Sequence, residues 1–202
     1  MCKNDGLLIV FSGPSGSGKD SVLNMLKSQG NDIQLSISLT TREPRAGEQD
    51  GLHYFFVTHE DFEKKIAAGE VLEYAQYNAQ YYGTPKTAVD EWLAQGKTVI
   101  LEIEVEGAGN IRRIYPDCVS VFLIPPSIET LRERLRGRQS NTEADIERRI
   151  DIAKKEIPHA HAFDYVILND KLDQAVQDFC AIIQAEQLRT SRNFMLEEVM
   201  RA

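Results

Sequence analysis

The sequence has few cysteines, no net positive charge and no long apolar run near its start. Its three cysteines lie far apart and form no C-x-x-C pair, which argues against a disulfide framework or zinc site and favours a reducing, cytoplasmic location. Acidic residues outnumber basic residues by 31 to 23, so we expect no binding to nucleic acid through a broad positive field. The first apolar run, LLIVF, is too short for a signal sequence or a membrane span.

The chain of 202 residues is long enough for one hydrophobic core. Segments rich in Val, Ile and Leu predict strands that are covered on both faces. These segments span residues 7–12, 98–104, 118–124 and 164–169. Helical patterns lie between them, with Ser127 as a predicted N-cap and with Thr142 and Asp145 spaced as a capping box. The alternation predicts an α/β fold with a parallel β-sheet core flanked by helices.

Two stretches interrupt this alternation and predict insertions within a single domain. Residues 35–85 contain alternating and aromatic segments around a short helix, which predicts a small mixed lobe. Residues 127–157 are helical and carry six arginines between positions 132 and 149. The core is then expected from residues 1–34, 86–126 and 158–189, followed by a tail of residues 190–202.

The segment GPSGSGK, residues 13–19, directly follows the first predicted strand and begins a helical pattern. Glycines let successive backbone N–H groups turn toward one anion, and the helix N-terminus adds a partial positive charge. Lys19 supplies a mobile charge for the β- and γ-phosphates of a nucleotide. We therefore predict a phosphate-binding loop formed by Gly13, Pro14, Ser15, Gly16, Ser17, Gly18 and Lys19.

Asp20 stands where a Ser or Thr that binds Mg²⁺ usually follows the lysine of such a loop. A carboxylate is also a hard oxygen ligand for Mg²⁺. Asp20 is equally well explained as a first-turn residue that the helix dipole favours, and Ser21 offers a substitute hydroxyl. Both interpretations of Asp20 stay open at the level of sequence.

The stretch of residues 36–57 points to a phosphate acceptor. Arg42 and Arg45 are three residues apart around a proline, and two guanidinium groups can hold one phosphate monoester. Tyr54 and Tyr82 offer hydroxyl donors to the same group. The sequence therefore predicts a second anion site within the inserted lobe.

Glu73 indicates which base such an acceptor carries. A carboxylate pairs with two adjacent N–H donors, and guanine has such a pair in its N1–H and 2-amino groups, whereas adenine has none. Ser38 and Thr84 have hydroxyl groups that suit O6 or N7 of the same base. The lobe is thus predicted to select a guanine nucleotide.

Taken together, these segments resemble the guanylate kinase family over residues 7–185. TTREPRAGEQDGLHYFFV and EYAQYNAQYYGT are the most specific segments, and GPSGSGK, ILEIEVEGA, RLRGR and FDYVILND accompany them. The resemblance implies a P-loop nucleoside monophosphate kinase-like fold that moves the γ-phosphate of ATP, bound as Mg-ATP, onto GMP or dGMP. Residues 35–85 would then be the GMP-binding lobe and residues 127–157 a helical lid.

The resemblance also implies residue roles. The GMP-binding residues would be Ser38, Arg42, Arg45, Tyr54, Glu73, Tyr82, Thr84 and Glu104. The catalytic residues would be Lys19, Arg134, Arg138 and Arg149. Asp20 and Ser21 would join the loop in binding ATP, with Asn169 and Asp170 near its adenine. Glu102 is the better candidate for a water-mediated Mg²⁺ contact, and Asp20 is the second metal candidate.

Two other functions are compatible with parts of the sequence. The GKDS segment is similar to the loop of ribose 1,5-bisphosphate phosphokinases, which have the same fold but lack the full TTREPRAGE block. A non-catalytic guanylate-kinase-like binding module is the third interpretation, although such modules typically lose the lysine and arginines that are present here. We expect neither nucleic acid nor membrane as a partner, and a homo-oligomer stays open.

Overall fold

The computed structural model describes residues 6–30, 32–45, 47–77, 79–137, 142–192 and 199. Arg138 and most of the predicted tail lie outside the described residues. The described elements in chain order are β1 (Leu7–Ser12), α1 (Lys19–Ser28), β2 (Ile33–Leu35), β3 (Leu39–Thr40), β4 (Phe55–Phe56), α2 (His59–Ala67), β5 (Val71–Tyr77), β6 (Gln80–Pro85), α3 (Lys86–Ala94), β7 (Thr98–Glu102), α4 (Val105–Ile114), β8 (Val119–Ile124), α5 (Ile128–Arg136), α6 (Glu143–Glu156), a 3₁₀ helix (Ile157–Ala162), β9 (Tyr165–Leu168) and α7 (Leu172–Gln187). Each described helix is too short or too polar to cross a lipid bilayer.

The predicted α/β fold is confirmed. Within the described residues, five parallel strands form one sheet in the order β2-β7-β1-β8-β9. The central strand β1 is buried along its whole length. Because the carboxyl ends of parallel strands meet at one edge of a sheet, the ends of β1, β7 and β9 lie on the side where the 13–19 loop begins.

Helices cover both faces of this sheet. On one face, α1 and α7 contact each other, and Phe11 of β1 meets Phe179 of α7 edge to face, with 5.0 Å between ring centroids. On the other face, Val89 of α3 and Ile111 of α4 share a buried cluster with Leu101 of β7. Burial on both faces explains why the strand sequences show no polar alternation.

Two core elements, β2 and α4, are not apparent from the sequence. β2 is a three-residue strand at the edge of the sheet, which is too short for a periodic signal. α4 contains Gly107 and Gly109, and glycine is a poor helix former. Burial of Ala108 and Ile111 overrides that propensity. The strands predicted at 98–104, 118–124 and 164–169 are each one or two residues shorter in the structure.

A second sheet forms in the stretch predicted as a mixed lobe. Its strands run in the order β4-β3-β6-β5, with β6 antiparallel to both β3 and β5. Helix α2 covers this sheet through the buried Phe62, which stacks on Tyr81 of β6 with 5.1 Å between ring centroids. This packing fixes β5 and β6, the strands that carry Glu73, Tyr82 and Thr84.

The helices α5 and α6 have a small buried cluster of their own. The cluster contains Leu131, Leu135, Ile146, Ile150 and Ala153. The predicted caps are confirmed, because Ser127 accepts a hydrogen bond from the Thr130 N–H and Thr142 forms a capping box with Asp145. The apolar contacts hold the two arginine-bearing helices together as one unit beside the 13–19 loop.

Candidate active site

The loop of residues 13–18 folds around left-handed glycines. Gly13 has φ 145° and Gly18 has φ 99°, which side-chain-bearing residues rarely adopt. A Cβ atom at Gly13 would overlap the Leu123 carbonyl, and one at Gly18 would overlap the Asn169 amide. The glycines thus permit both the turn and its close approach to the ends of β8 and β9.

The loop leads into an open helix N-terminus. Gly18 is the N-cap of α1 and provides no side-chain cap to the first N–H groups. Orphan N–H groups at a helix N-terminus attract anions, and the helix dipole adds to that attraction. Asp20 and Ser21 are exposed in this first turn, so both predicted residues flank the same N-terminus.

Lys19 lies between the loop and the acid at the end of β7. Its Nζ donates to the Gly13 carbonyl at 2.7 Å and lies 4.0 Å from Oε1 of Glu102. The two elements come together because Phe11 of β1 is the register partner of Glu102 in β7. A mobile cation and a carboxylate are therefore side by side at the mouth of the loop.

Asn169 and Arg134 hold the far side of the loop. The Asn169 side chain is 4% exposed and donates to the Ser17 carbonyl at 2.8 Å. Arg134 of α5 donates to the same carbonyl at 3.2 Å and to the Asn169 carbonyl at 2.8 Å. Arg149 of α6 donates to the Ser15 hydroxyl at 3.1 Å. The two described arginines predicted as catalytic thus both reach the loop.

A cavity of about 510 Å³ opens beside these groups. Its lining residues are Gly16, Gly18, Ser21, Arg134, Gly137, Asn169, Asp170 and Leu172. Nucleotide and cofactor pockets have volumes of roughly 300–1,000 Å³, so the space suits a nucleoside next to the loop. Sequence reasoning missed Gly137 and Leu172, because neither residue carries a polar group that would mark it.

In the lobe, Arg42 is held by an acid that sequence reasoning also missed. Its Nη1 and Nη2 donate to the two carboxylate oxygens of Glu48, each at 2.9 Å. Glu48 also accepts from the Arg45 backbone N–H at 2.7 Å. The hydrogen bonds from Arg42 and then from Arg45 lower the pKa of the Glu48 carboxyl to about 2. Its position three residues after Arg45, where it closes a turn, is the sequence signal that could have identified it.

The remaining donors of Arg42 are directed elsewhere. Nη1 also donates to the Glu43 carbonyl at 2.7 Å, while Nε is buried and has no hydrogen-bond partner among the described residues. The guanidinium carbon lies 5.4 Å from the centroid of the Tyr54 ring. Glu48 and Tyr54 therefore fix the plane of the guanidinium.

The lobe and the loop act on each other electrostatically. Burial raises the pKa of the Tyr54 hydroxyl, and its interactions with Tyr82 and Glu102 raise it further. The Tyr54 and Tyr82 rings meet edge to face with 6.0 Å between centroids. Tyr54 and Tyr82, two of the residues predicted to bind the acceptor phosphate, are thus adjacent, and Tyr54 is near enough to Glu102, the acid beside Lys19, to interact with its charge.

Glu73 of β5 is a buried carboxyl with a single described hydrogen bond partner. Glu73 is 8% exposed, and its Oε1 accepts a hydrogen bond from the Thr84 hydroxyl at 2.7 Å. Burial raises the pKa of the Glu73 carboxyl, the Thr84 hydrogen bond opposes the rise, and the charge of Glu104 adds to it. The structure therefore brings Glu73, Thr84 and Glu104 to one side of the lobe.

The other predicted residues are less tightly held. Arg45, Glu104 and Asp170 are exposed, and Ser38 lies between β2 and β3. Glu156 at the end of α6 is a further group that sequence reasoning missed. Burial and the charge of Glu104 raise the pKa of its carboxyl, while Lys19 opposes the rise, so this acid is close enough to Glu104 and Lys19 to interact with their charges.

A family model described as guanylate kinase matches residues 6–186 of this chain. The guanylate kinase of Shouchella clausii is 47% identical over 192 residues, which cover 95% of this chain and 94% of that protein. The guanylate kinase of Clostridioides difficile is 45% identical over 200 residues and 98% of both chains. A crystal structure of guanylate kinase from Anaplasma phagocytophilum matches with a TM-score of 0.82 and 33% identity, covering 100% of this chain and 97% of that one. By sequence and by fold, this chain belongs to the guanylate kinase family.

Proposed function

We propose that this chain transfers the γ-phosphate of ATP to GMP or dGMP, producing ADP and GDP or dGDP. The observation that carries the proposal is the buried Glu73 carboxylate, held by Thr84 in a lobe that faces an anion-binding loop. A buried acid is costly unless a partner satisfies it. Guanine supplies two adjacent N–H donors to such an acid, and membership of the guanylate kinase family supports the same substrate.

The acceptor is proposed to bind along the lobe. Glu73 would accept from N1–H and the 2-amino group, with Ser38, Thr84 and Glu104 around the rest of the base. The phosphate would bind beside Arg42, whose guanidinium Glu48 holds in place. A guanidinium has five N–H donors, so this arrangement lets Arg42 hold Glu48 and a phosphate together. Arg45, Tyr54 and Tyr82 would complete the phosphate site.

The donor is proposed to bind at the loop and its cavity. The backbone N–H groups of residues 13–18, Ser21 and the α1 N-terminus suit the α- and β-phosphates. Lys19 would bind the β- and γ-phosphates. The nucleoside would enter the cavity beside Asn169 and Asp170. Donor and acceptor then meet between Lys19 and Arg42.

Transfer at this site would rely on alignment and charge neutralisation. An ionised oxygen of the GMP phosphate attacks the γ-phosphorus, and the bond from that phosphorus to the β–γ bridging oxygen breaks, leaving ADP. No general base is required, because the attacking oxygen already carries its charge. Arg134 and Arg149 are proposed to shift from loop atoms to the transferred group, joined by Arg138.

The donor set suits Mg²⁺ carried by ATP. The described residues contain no cluster of three or more His, Cys, Asp or Glu side chains that could hold a metal. Mg²⁺ at phosphates is usually bound by one or two carboxylates together with water and phosphate oxygens. Glu102, 4.0 Å from the Lys19 Nζ, and Asp20 in the first turn of α1 would hold it here. When bound, the ion neutralises charge on the phosphates.

Replacement of Asp20 by serine distinguishes its two interpretations. If the carboxylate is a Mg²⁺ ligand, the concentration of Mg²⁺ that gives half-maximal activity should shift by a few-fold, because a neutral hydroxyl replaces a charged oxygen. Activity at saturating Mg²⁺ should be retained. Magnesium titrations of the wild-type protein and Asp20→Ser measure this shift, with Ser21→Ala as a neighbouring comparison. An inactive Asp20→Ser protein would contradict the expectation.

The proposed function is tested by coupled detection of ADP. We expect Mg·ATP-dependent turnover with GMP and dGMP, and little with AMP, UMP or ribose 1,5-bisphosphate. A site built to hydrogen-bond a particular group can reject an analogue that lacks it by as much as about 10⁴-fold. Turnover of ribose 1,5-bisphosphate in preference to GMP, or no turnover of any acceptor, would refute the proposal.

A further inference from the structure

We propose that Gly107 is a specificity-determining positioning residue, because its missing side chain gives the Glu73 carboxylate the space in which it reads the acceptor base. This inference rests on the proposed function, in which Glu73 binds guanine. Gly107 is a buried residue of α4, and Glu73 belongs to β5 in the lobe. Helix α4 and strand β5 are in contact, so the carboxylate lies at a junction between core and lobe.

The distances identify what a side chain at position 107 would meet. A Cβ atom built on Gly107 would lie 2.6 Å from Oε2 of Glu73 and 3.1 Å from its Cδ. The next neighbour is the Cβ of Ile103, at an ordinary 3.6 Å. Only the carboxylate therefore conflicts with an added methyl group. The remainder of the helix environment already accepts it.

The carboxylate cannot yield without losing its position. Its Oε1 is fixed by the Thr84 hydroxyl at 2.7 Å, and Glu73 is almost wholly buried. The carboxylate is therefore confined between a hydroxyl of β6 and the backbone of α4. The flexible end of a side chain moves more easily than a packed helix, so an added methyl group should displace the atoms that contact the base. The fold should change little.

The same helix contains a matched comparison. Gly109 is two residues away in α4, is exposed, and a Cβ atom there would meet nothing within 4 Å. Alanine is a better helix former than glycine at both positions. Helix propensity thus acts alike on Gly107→Ala and Gly109→Ala. Only Gly107→Ala places a methyl group against Glu73, so a difference between the two variants reports this contact.

The experiment compares these two variants of the full chain with GMP and with IMP, which keeps N1–H but lacks the 2-amino group. For Gly107→Ala we expect KM for GMP to rise by about tenfold, the loss of roughly one good hydrogen bond. The preference for GMP over IMP in kcat/KM should shrink, while KM for ATP stays within about twofold, because the added methyl group conflicts with Glu73 and with no atom of the loop. Gly109→Ala should match the wild type in all three quantities.

Shortening the acid supplies the second test. In Glu73→Asp the carboxylate is withdrawn by one methylene from the position of an added methyl group at residue 107. Gly107→Ala should therefore raise KM for GMP by a smaller factor in Glu73→Asp than in the wild type. A double-mutant cycle measures this difference. If Gly107→Ala fails to fold, recovery of folding in Gly107→Ala with Glu73→Asp supports the contact. Failure of both proteins to fold would overturn it.

The two hypotheses fail in different ways. A wild-type protein that does not phosphorylate GMP removes the proposed function. The role of Gly107 alone is refuted if the wild-type protein phosphorylates GMP and a folded Gly107→Ala protein keeps both its KM for GMP and its preference for GMP over IMP.

Discussion

Replacement of Lys19 by methionine is expected to lower kcat by about 10²- to 10³-fold, the usual loss on removing one preorganised donor to a developing charge. Methionine keeps most of the apolar stem and removes the ammonium group. KM for GMP should change by less than about twofold, because the acceptor residues lie in the separate lobe. Steady-state kinetics with GMP and Mg·ATP measure both parameters.

The size of the Lys19 effect follows from its position. Its Nζ is beside the Gly13 carbonyl and Glu102, at the point where the β- and γ-phosphates are proposed to lie. Phosphoryl transfer has little covalent work for a protein to do, so a lost charge at this point raises the barrier directly.

Lys27 provides the matched control for this substitution. It is the exposed lysine in the last turn of the same helix, away from the loop. Lys27→Met removes the same charge and should leave kcat within about twofold, since exposed charges contribute little. A Lys19→Met protein that keeps more than about a tenth of wild-type kcat would contradict the role of the ammonium group in transfer.

Replacement of Glu73 by glutamine is expected to lower kcat/KM for GMP by about 10²-fold. The carboxamide can accept one N–H of guanine, but its own NH₂ then faces the second donor. An unsatisfied buried donor costs about 1–3 kcal/mol, and 1.4 kcal/mol is a factor of ten. KM for ATP should be unchanged. The GMP-to-AMP ratio of kcat/KM should fall, and an unaltered ratio would show that another residue selects the base.

Glu70 is the matched control for Glu73. It directly precedes β5, is exposed, and pairs with Lys65 at 3.0 Å. Glu70→Gln makes the same chemical change outside the proposed site and should leave the GMP-to-AMP ratio as it is.

The pH dependence of acceptor binding gives an independent test of the role of the Glu73 carboxylate. Burial raises the pKa of its carboxyl above the ordinary value, so protonation begins at a higher pH than for an exposed glutamate. As the pH falls through that raised pKa, the acid loses its acceptor pair and KM for GMP should rise. Glu73→Gln should lack this component, and the difference between the two pH profiles isolates it from titration of the GMP phosphate.

Local sequence determined much of this molecule. The glycine spacing before Lys19 predicts the anion-binding loop, and Thr142 with Asp145 forms the predicted capping box. These features depend on residues a few positions apart, where glycine conformations and side-chain-to-backbone hydrogen bonds act directly. The apolar strands were also predictable, since burial on both faces requires continuous apolar runs.

Only the tertiary structure decided which distant groups meet. Strand β2 and helix α4 exist because of the sheet they contact, against weak local signals. The burial of Glu73 under Thr84 and the space that Gly107 leaves for its carboxylate both join groups whose contact no local pattern encodes. Sequence determined the residue types that we propose bind phosphate and guanine. Packing between strands and helices determined the distances between them, because hydrophobic burial is non-directional and final positions follow from the whole core.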